Sequence, residues 1–212
     1  MSNYWKFGGQ VIMLIIAMGF TALAVNLFIA CNIGSDTLTV LLEGLHKTTG
    51  RSLGLTSFII NMVLLAVALL LNRKAIGVSS FIYSFGIGPF INMLFPFISN
   101  MGLDHLQLFN KIIVVIVANF CYSITYVLLM RFGNGMYAID AILRYLESKF
   151  GLRYDLGRIG VDAILLGTGY LCGGIVGIGT VIALLLTGPG TLLVERILLK
   201  GKGWIRKHAK NI

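Results

Sequence analysis

Six long apolar segments decide what kind of fold this sequence can adopt. A helix of about 20 apolar residues crosses the roughly 30 Å hydrocarbon core of a bilayer. The sequence therefore predicts six membrane-spanning helices, over residues 8–31, 55–71, 77–98, 112–130, 156–171 and 175–199. Only 12% of the 212 residues are charged, about half the share of a soluble domain. We therefore expect an all-α integral membrane protein with one polytopic domain over residues 1–212.

Charge fixes the expected orientation. The chain carries 17 Lys and Arg and a net charge of +9. With the N-terminus inside, only Lys47, Arg51 and Lys111 fall on the outer side, and the other fourteen basic residues fall on the inner side. The positive-inside rule then predicts that both termini, including a basic tail over residues 200–212, are cytoplasmic. Nucleic acid is not an expected partner, because no basic patch is interleaved with aromatic residues; the lipid bilayer is.

A short amphipathic helix follows the first and the fourth predicted spans. Residues 35–49 and 139–150 both repeat apolar residues with the 3.6-residue period of a helix. Each half of the chain is thus predicted as a span, a short helix and two more spans. The first repeat covers about residues 8–98 and the second about residues 109–199.

Matching residues in the two halves indicate an internal duplication. Gly77, Gly88 and Pro89 reappear one hundred residues later as Gly177, Gly188 and Pro189, and Asp36 and Glu43 match Asp140 and Glu147 at a slightly larger offset. A repeat with three spans must insert upside down relative to its twin, and inverted repeats are a common plan among transporters. The alternative is that duplication merely built a larger helical bundle.

The repeated Gly-Pro segments are candidate binding elements. They comprise Gly86, Gly88 and Pro89 in the third span, and Thr187, Gly188 and Pro189 in the sixth. Proline removes a backbone donor, and glycine adds conformational freedom. Freed carbonyl groups cannot face lipid and must meet protein, water or ligand. The sequence predicts interrupted helices that expose backbone groups to a substrate; the alternative is a kink or close packing through small residues.

A carboxylate inside the fifth span is the second candidate. Burying Asp162 in a bilayer costs roughly 2.5–3.5 kcal/mol, and such residues are usually functional. Asn61 occupies nearly the equivalent position in the second span. The alternative is that Asp162 lies near the cytoplasmic interface and pairs with Arg158 one turn away.

Asp36 and Asp140 open the two amphipathic helices and have two interpretations. Asp is a favoured N-cap, since its carboxylate accepts the first free amides of a helix. Alternatively, the short helices dip into the membrane and both acids face a central cavity. Glu43 and Glu147 lie two turns later, and we expect them to be solvated.

Other side chains carry weaker signals. Tyr83, Tyr122, Tyr126 and Tyr170 are candidates for lining a pocket or for packing. The three cysteines show no metal or redox spacing, and no zinc-protease, nucleophile-elbow or phosphate-binding motif is present. The sequence predicts no enzyme, no catalytic residue, no metal and no cofactor.

Two motifs resemble a known family. Gly177-Ile178-Gly179-Thr180 followed by Ala183–Pro189, and Ile33-Gly34-Ser35-Asp36 leading to Leu41-Leu42-Glu43-Gly44-Leu45, are similar to signatures of the bacterial YczE/YyaS/YitT-type membrane proteins. The resemblance implies a bacterial plasma-membrane protein. It supplies no catalytic residues, because that family is largely uncharacterised.

These observations favour a secondary transporter of a small molecule, proton- or cation-coupled, with Asp162, Asn61 and the Gly-Pro segments at its polar site. The alternative is a non-transporting accessory or sensory subunit that acts through protein partners. The sequence leaves open whether the chain forms a homodimer.

Overall fold

The computed structural model describes residues 3–132 and 135–208, with side chains over 8–131, 135–154 and 156–197. The described residues are helical and contain no β-strand. Two 3-10 helices cover Arg73–Ala75 and Leu103–His105. The α-helices are α1 (Asn3–Cys31), α2 (Thr37–Thr49), α3 (Leu53–Asn72), α4 (Val78–Ser99), α5 (Leu108–Phe132), α6 (Ala138–Phe150), α7 (Tyr154–Leu171) and α8 (Ile178–His208).

Five helices are long and apolar enough to cross a membrane, which makes this a multi-pass membrane protein. They cover Gly8–Cys31, Leu53–Ala75, Val78–Ser99, Leu108–Arg131 and Ile178–Ile197. The fifth predicted span corresponds to α7, which has 18 residues and is not among these five. Its sequence includes Asp155, Arg158 and Asp162, which lower its hydropathy. Part of the predicted basic tail continues α8 as far as His208, and residues 209–212 lie outside the described part of the chain.

The two amphipathic helices form where the sequence predicts them. α2 and α6 both end at a glycine with positive φ, Gly50 at 63° and Gly151 at 64°. Glycine adopts this left-handed conformation without a Cβ clash, so it stops a helix cleanly. α2 packs along α7, and α6 packs along α3. Their first residues, Thr37 and Ala138, are buried, so both short helices begin inside the bundle.

The centre of the bundle is the contact between α1 and α5. Thr21 and Thr125 face each other there, with their Oγ1 atoms 3.0 Å apart. Oγ1 of Thr125 also donates to the carbonyl oxygen of Ala17 at 3.0 Å. α1 packs on its other side against α4, and α5 packs on its other side against α8. The two longest spans thus form a central pair that is joined by hydrogen bonds between threonine side chains and the backbone.

The loop before α2 is held by the beginning of α8. Gly34 has a φ of 98°, and an added Cβ there would meet the backbone of Gly177. The amide of Gly179 donates to the carbonyl oxygen of Ile33 at 2.9 Å. A side chain at Gly34 would therefore separate this loop from α8.

The loop before α6 is held in a similar way by the beginning of α4. Gly135 has a φ of 139° and lies against the backbone of Gly77. The amide of Met136 donates to the carbonyl oxygen of Ala75 at 2.9 Å, and the Ser80 hydroxyl donates to the carbonyl oxygen of Met136 at 2.6 Å. Both short helices thus start from a glycine loop fastened to a distant helix.

The prediction that the Gly-Pro segments interrupt their helices is wrong. α4 runs without a break through Pro89, and α8 runs without a break through Pro189. Proline removes one intrahelical donor, while the turns on either side keep their own hydrogen bonds. In a membrane protein this residual bonding is favoured, because carbonyl groups without partners are costly in lipid.

The two glycines of the repeated motif have different environments. In α4, a Cβ on Gly88 would lie 2.5 Å from the carbonyl oxygen of Gly54 in α3, so the two backbones touch. The amide of Gly54 also donates to Oδ1 of Asn92 at 2.8 Å. In α8, a Cβ on Gly188 would meet nothing within 4 Å. Accordingly, α3 and α4 pack closely along each other, and α7 and α8 do not.

We predict that Gly88→Ala destabilises the protein and that Gly188→Ala does not. The added methyl at Gly88 forces α3 and α4 apart, an overpacking cost of about 1–3 kcal/mol. The same change at Gly188 enters open space and removes a helix-weakening glycine, worth about 1 kcal/mol in favour of the variant. Thermal unfolding of both variants in one detergent measures the difference. Equal melting temperatures would contradict the backbone contact between α3 and α4.

Candidate binding cavity

An internal cavity of about 1080 Å³ is lined by residues from all eight α-helices. Seven of the ten sequence-predicted site residues line it: Asp36, Asn61, Asp140, Asp162, Thr187, Gly188 and Pro189. The cavity thus unites residues from α3, α6, α7, α8 and the loop before α2. Most of the lining surface is apolar, so the polar side chains of Asp36, Asn61, Asp140 and Asp162 are positions for specific contacts.

Gly86, Gly88 and Pro89, the other predicted site residues, do not line this cavity. A Cβ on Gly86 would collide with Sδ of Met18 in α1, and Gly88 lies against Gly54. Pro89 is exposed on the outer side of α4. The first Gly-Pro segment is therefore a packing element, the alternative considered for such small residues.

Arg158 organises the charged side of the cavity. Its Nε donates to Oδ2 of Asp162 at 3.0 Å, and its Nη1 donates to the Tyr126 hydroxyl at 2.9 Å. Nη1 also lies 3.8 Å from Oδ1 of Asp140. The Thr37 hydroxyl donates to the other oxygen of Asp162 at 2.8 Å. Asp162 therefore pairs with Arg158, as the second interpretation expected, and also lines the cavity, as the first expected.

Asn61 and Asp162 occupy equivalent positions, as predicted. They lie equally far from the first residues of their helices, Leu53 in α3 and Tyr154 in α7. Nδ2 of Asn61 donates to the carbonyl oxygen of Ser57 at 2.9 Å, one turn back. Ser57 holds the place in α3 that Arg158 holds in α7. The same positions thus carry a neutral polar pair in one half and an ion pair in the other.

Asp36 lies at the N-cap position of α2 but does not cap it. Its side chain makes no hydrogen bond to the first turn, and its buried Oδ1 has no hydrogen-bond partner among the described residues. Asp140 is the third residue of α6, and it accepts a hydrogen bond from the Tyr154 hydroxyl at 2.9 Å. The N-cap of α6 is Tyr137. The predicted match of Asp36 with Asp140 at equivalent positions of the two short helices is therefore wrong in register. Both acids nevertheless line the cavity.

Burial raises the pKa of both carboxyl groups, which lie outside the five apolar spans. For Asp36 and for Asp140 the largest cause is loss of hydration. Thr39 and the Tyr122 hydroxyl oppose this rise in pKa at Asp36, and the Tyr154 hydroxyl, Arg158 and Arg144 oppose it at Asp140. Desolvation disfavours the charged form of an acid, so each group is ionised most readily when a cation or donor is close.

Five tyrosines line the cavity: Tyr83, Tyr122, Tyr126, Tyr137 and Tyr154. Sequence reasoning identified the first three as candidates, together with Tyr170, which is instead exposed on α7. It missed Tyr137 and Tyr154, which lie at the starts of α6 and α7 outside the apolar runs. The only available signal was their position beside the predicted short helix, which reaches the cavity because it begins inside the bundle.

The exposed part of the lining shows where the cavity opens. Leu184, Gly188 and Leu192 follow one another at helical spacing along α8 and are exposed. Lys74 and Met130, at the ends of α3 and α5, are also exposed lining residues. The cavity therefore opens between α7 and α8 and toward the end of the bundle where α3 and α5 terminate.

Glu43 contradicts the expectation that both glutamates are solvated. It is 3% exposed, and its carboxylate accepts hydrogen bonds from Lys47 at 2.6 Å and from the amide of Ile175 at 3.1 Å. The loop before α8 covers it. Glu147 is half-exposed and pairs with Arg144 at 2.8 Å. Neither glutamate lines the cavity, and the described residues contain no cluster of three or more His, Cys, Asp and Glu that would suit a metal.

The helical spans and the internal cavity define a polytopic membrane protein with a candidate binding site. The chain belongs to a family of unknown function, DUF6198, whose model matches residues 9–196. No curated protein and no solved structure matches the chain.

We predict that Arg158→Met strongly destabilises the protein and that Asp162→Asn partly rescues it. Removing the guanidinium leaves two carboxylates without their shared cation, and breaking a buried pair from one side costs about 3–5 kcal/mol. These side chains retain some exposure, so the lower end applies. Thermal unfolding of both single variants and of the double variant measures the coupling. Strictly additive losses would contradict a direct Arg158–Asp162 interaction.

Proposed function

We propose that this protein is a secondary transporter that moves a small molecule through the internal cavity. The observation that carries the proposal is the cavity itself, about 1080 Å³ with three carboxylates, two arginines and a lysine in its lining. Ionisable groups inside a membrane bundle are costly and typically mark a substrate or ion pathway. No motif of the sequence supports an enzyme as the alternative.

In this proposal α7 is a sixth membrane span. With 18 residues at a rise of 1.5 Å, it is about 27 Å long, close to the thickness of the hydrocarbon core. Arg158 and Asp162 line the cavity, where they need not contact lipid. Because Arg158 and Asp162 are on the cavity side, α7 can insert as a span although its hydropathy is lower than that of the five apolar spans.

The proposal also treats the two halves as inverted repeats. Three pairs of features support it. Thr21 and Thr125 meet between the first span of each half. The loops before α2 and α6 are held by the beginnings of α8 and α4. Each short helix packs on the second span of the other half, α2 on α7 and α6 on α3. A twofold axis in the membrane plane that passes between the threonines accounts for all three.

Under the positive-inside rule, the end of the bundle with Arg73, Lys74 and Arg131 faces the cytoplasm, and so do both termini. The cavity would then be open to the cytoplasm and, between α7 and α8, to the bilayer. The resemblance to the YczE/YyaS/YitT-type proteins supports a bacterial plasma membrane as the location.

The opening is encoded in the sequence. Gly54 and Asn92 seal α3 against α4. Counted from the helix starts, their counterparts are Asp155 in α7 and Leu192 in α8. Neither residue is the glycine or the asparagine type that seals α3 against α4. In the transport cycle α8 is therefore the element free to move against α7, while α3 and α4 stay together.

A second function, a non-transporting subunit, draws support from the same gap. Leu184 and Leu192 are exposed on α8, and a helix of a partner protein would bury them. In that case the cavity would be an interface rather than a route. Uptake measurements on variants at the opening distinguish the two functions.

We predict that Leu184→Trp blocks transport and that Leu185→Trp does not. Leu184 lines the cavity, whereas its exposed neighbour Leu185 does not, so only the first indole enters the opening. A metabolite panel is first screened by thermal stabilisation of the purified wild type. Uptake of each stabilising compound into proteoliposomes should then fall about tenfold or more in Leu184→Trp, equivalent to about 1.4 kcal/mol.

The matched pair controls for bulk and for expression, because both substitutions add the same side chain one residue apart. Equal uptake by the two variants, or no uptake by the wild type of any compound that binds it, would contradict a transporter and favour the accessory subunit.

A further inference from the structure

The cavity contains one acid that the protein itself leaves unpaired. Asp36 makes no ion pair with any described residue, and no hydrogen bond of regular geometry reaches its buried Oδ1. Burial raises the pKa of its carboxyl, and the nearby Thr39 and Tyr122 side chains offset that rise only in part. By contrast, Asp162 accepts from Arg158 and Thr37, and Asp140 accepts from Tyr154. An unsatisfied buried carboxylate oxygen costs free energy, so its retention in a cavity points to a partner supplied from outside.

Among the half-buried residues that line the cavity, acids outnumber cations. Three carboxylates line it, and the only cation among its half-buried lining residues is Arg158, which Asp140 and Asp162 share. Arg144 and Lys74 also line the cavity but are exposed: Arg144 is bound to Glu147, and Lys74 lies in the 3-10 helix after α3. An incoming cation would therefore meet uncompensated negative charge inside, whereas an anion would meet an arginine that two carboxylates already occupy.

The tyrosines around Asp36 suit an organic cation in particular. Tyr83, Tyr122 and Tyr137 line the same cavity as Asp36, and the Tyr122 hydroxyl lies 2.9 Å from Oγ1 of Thr39 in the first turn after Asp36. The rings of Tyr83 and Tyr137 meet edge to face with centroids 5.6 Å apart. Aromatic faces attract ammonium groups, and tyrosine and threonine oxygens accept their hydrogen bonds.

We propose that the cavity binds an organic cation, an ammonium group on an apolar body, with the charge at Asp36 between the tyrosines and the body along the apolar lining toward α8. This inference rests on the proposed transport function and names its substrate class. The apolar wall and the opening between α7 and α8 accommodate a molecule that is partly soluble in lipid. Inorganic cations fit less well, because most of the lining offers no oxygen ligand.

The test uses the purified full-length protein at one fixed pH, with four probes that share a phenyl body. Benzyltrimethylammonium and 2-phenylethylammonium carry a positive charge, 2-phenylethanol is neutral and phenylacetate is negative. Calorimetric titration and thermal stabilisation should rank both cations above the alcohol and the alcohol above the acid. Asp36→Asn should weaken both cations about 30-fold or more and leave the alcohol unchanged, since it removes charge with little change of shape.

Asp104→Asn is the matched control, because Asp104 is an exposed acid in a 3-10 helix outside the cavity. It should leave all four affinities unchanged. Three results would each overturn the inference: equal binding of the alcohol and the cations, no binding of either cation, or unchanged cation affinity in Asp36→Asn. The partner of Asp36 would then be a proton.

The experiments distinguish a wrong substrate class from a wrong transport function. If a neutral or anionic metabolite is taken up by the wild type and blocked by Leu184→Trp, transport stands and only the substrate class is wrong. If cations bind through Asp36 but Leu184→Trp and Leu185→Trp transport alike, the site stands and transport falls.

Discussion

The rest of the structure depends on one constraint: two half-length helices begin inside a membrane bundle, where each free backbone amide needs protein or a polar cavity around it. The chain meets this constraint with glycine loops. Gly34 and Gly135 let their loops lie directly on the beginnings of α8 and α4, which hydrogen-bond to them. Because the short helices start at depth, their first residues reach the middle of the protein. The cavity and its acids follow from that placement.

The same constraint explains how much could be predicted. Hydropathy located the apolar spans, and helical periodicity located α2 and α6, because each signal is local in sequence. The matching positions of Asn61 and Asp162 were also predictable, because each residue lies equally far from the first residue of its helix. A span at α7 was predicted from the apolar C-terminal half of that helix, but α7 is not among the five helices that are long and apolar enough to cross a membrane. Arg158 and Asp162 lower its hydropathy, and their place in the cavity lining is one that no local pattern encodes.

The failures have a common physical cause as well. A Gly-Pro pair in a sequence indicates a weak point in a helix, but it does not say whether the helix breaks, bends or packs. Gly88 packs because Gly54 faces it, and Gly188 lies open because no glycine faces it. Tyr137 and Asp36 reach the cavity through contacts between distant helices. Such contacts are decided by pairs of residues far apart in the chain, so one position never reveals them.

A contact across the centre, Thr21 on Thr125, has an evolutionary consequence for the proposed inverted repeats. Before the halves were joined, a single threonine would have touched its own copy in a homodimer, and both helix pairs of that dimer would have been the same, either both sealed or both open. Under that proposal, joining the halves in one gene released this equality. The chain keeps Gly54 against Gly88 on one flank and leaves Gly188 bare on the other, so a one-sided entrance would be a property that fusion made available.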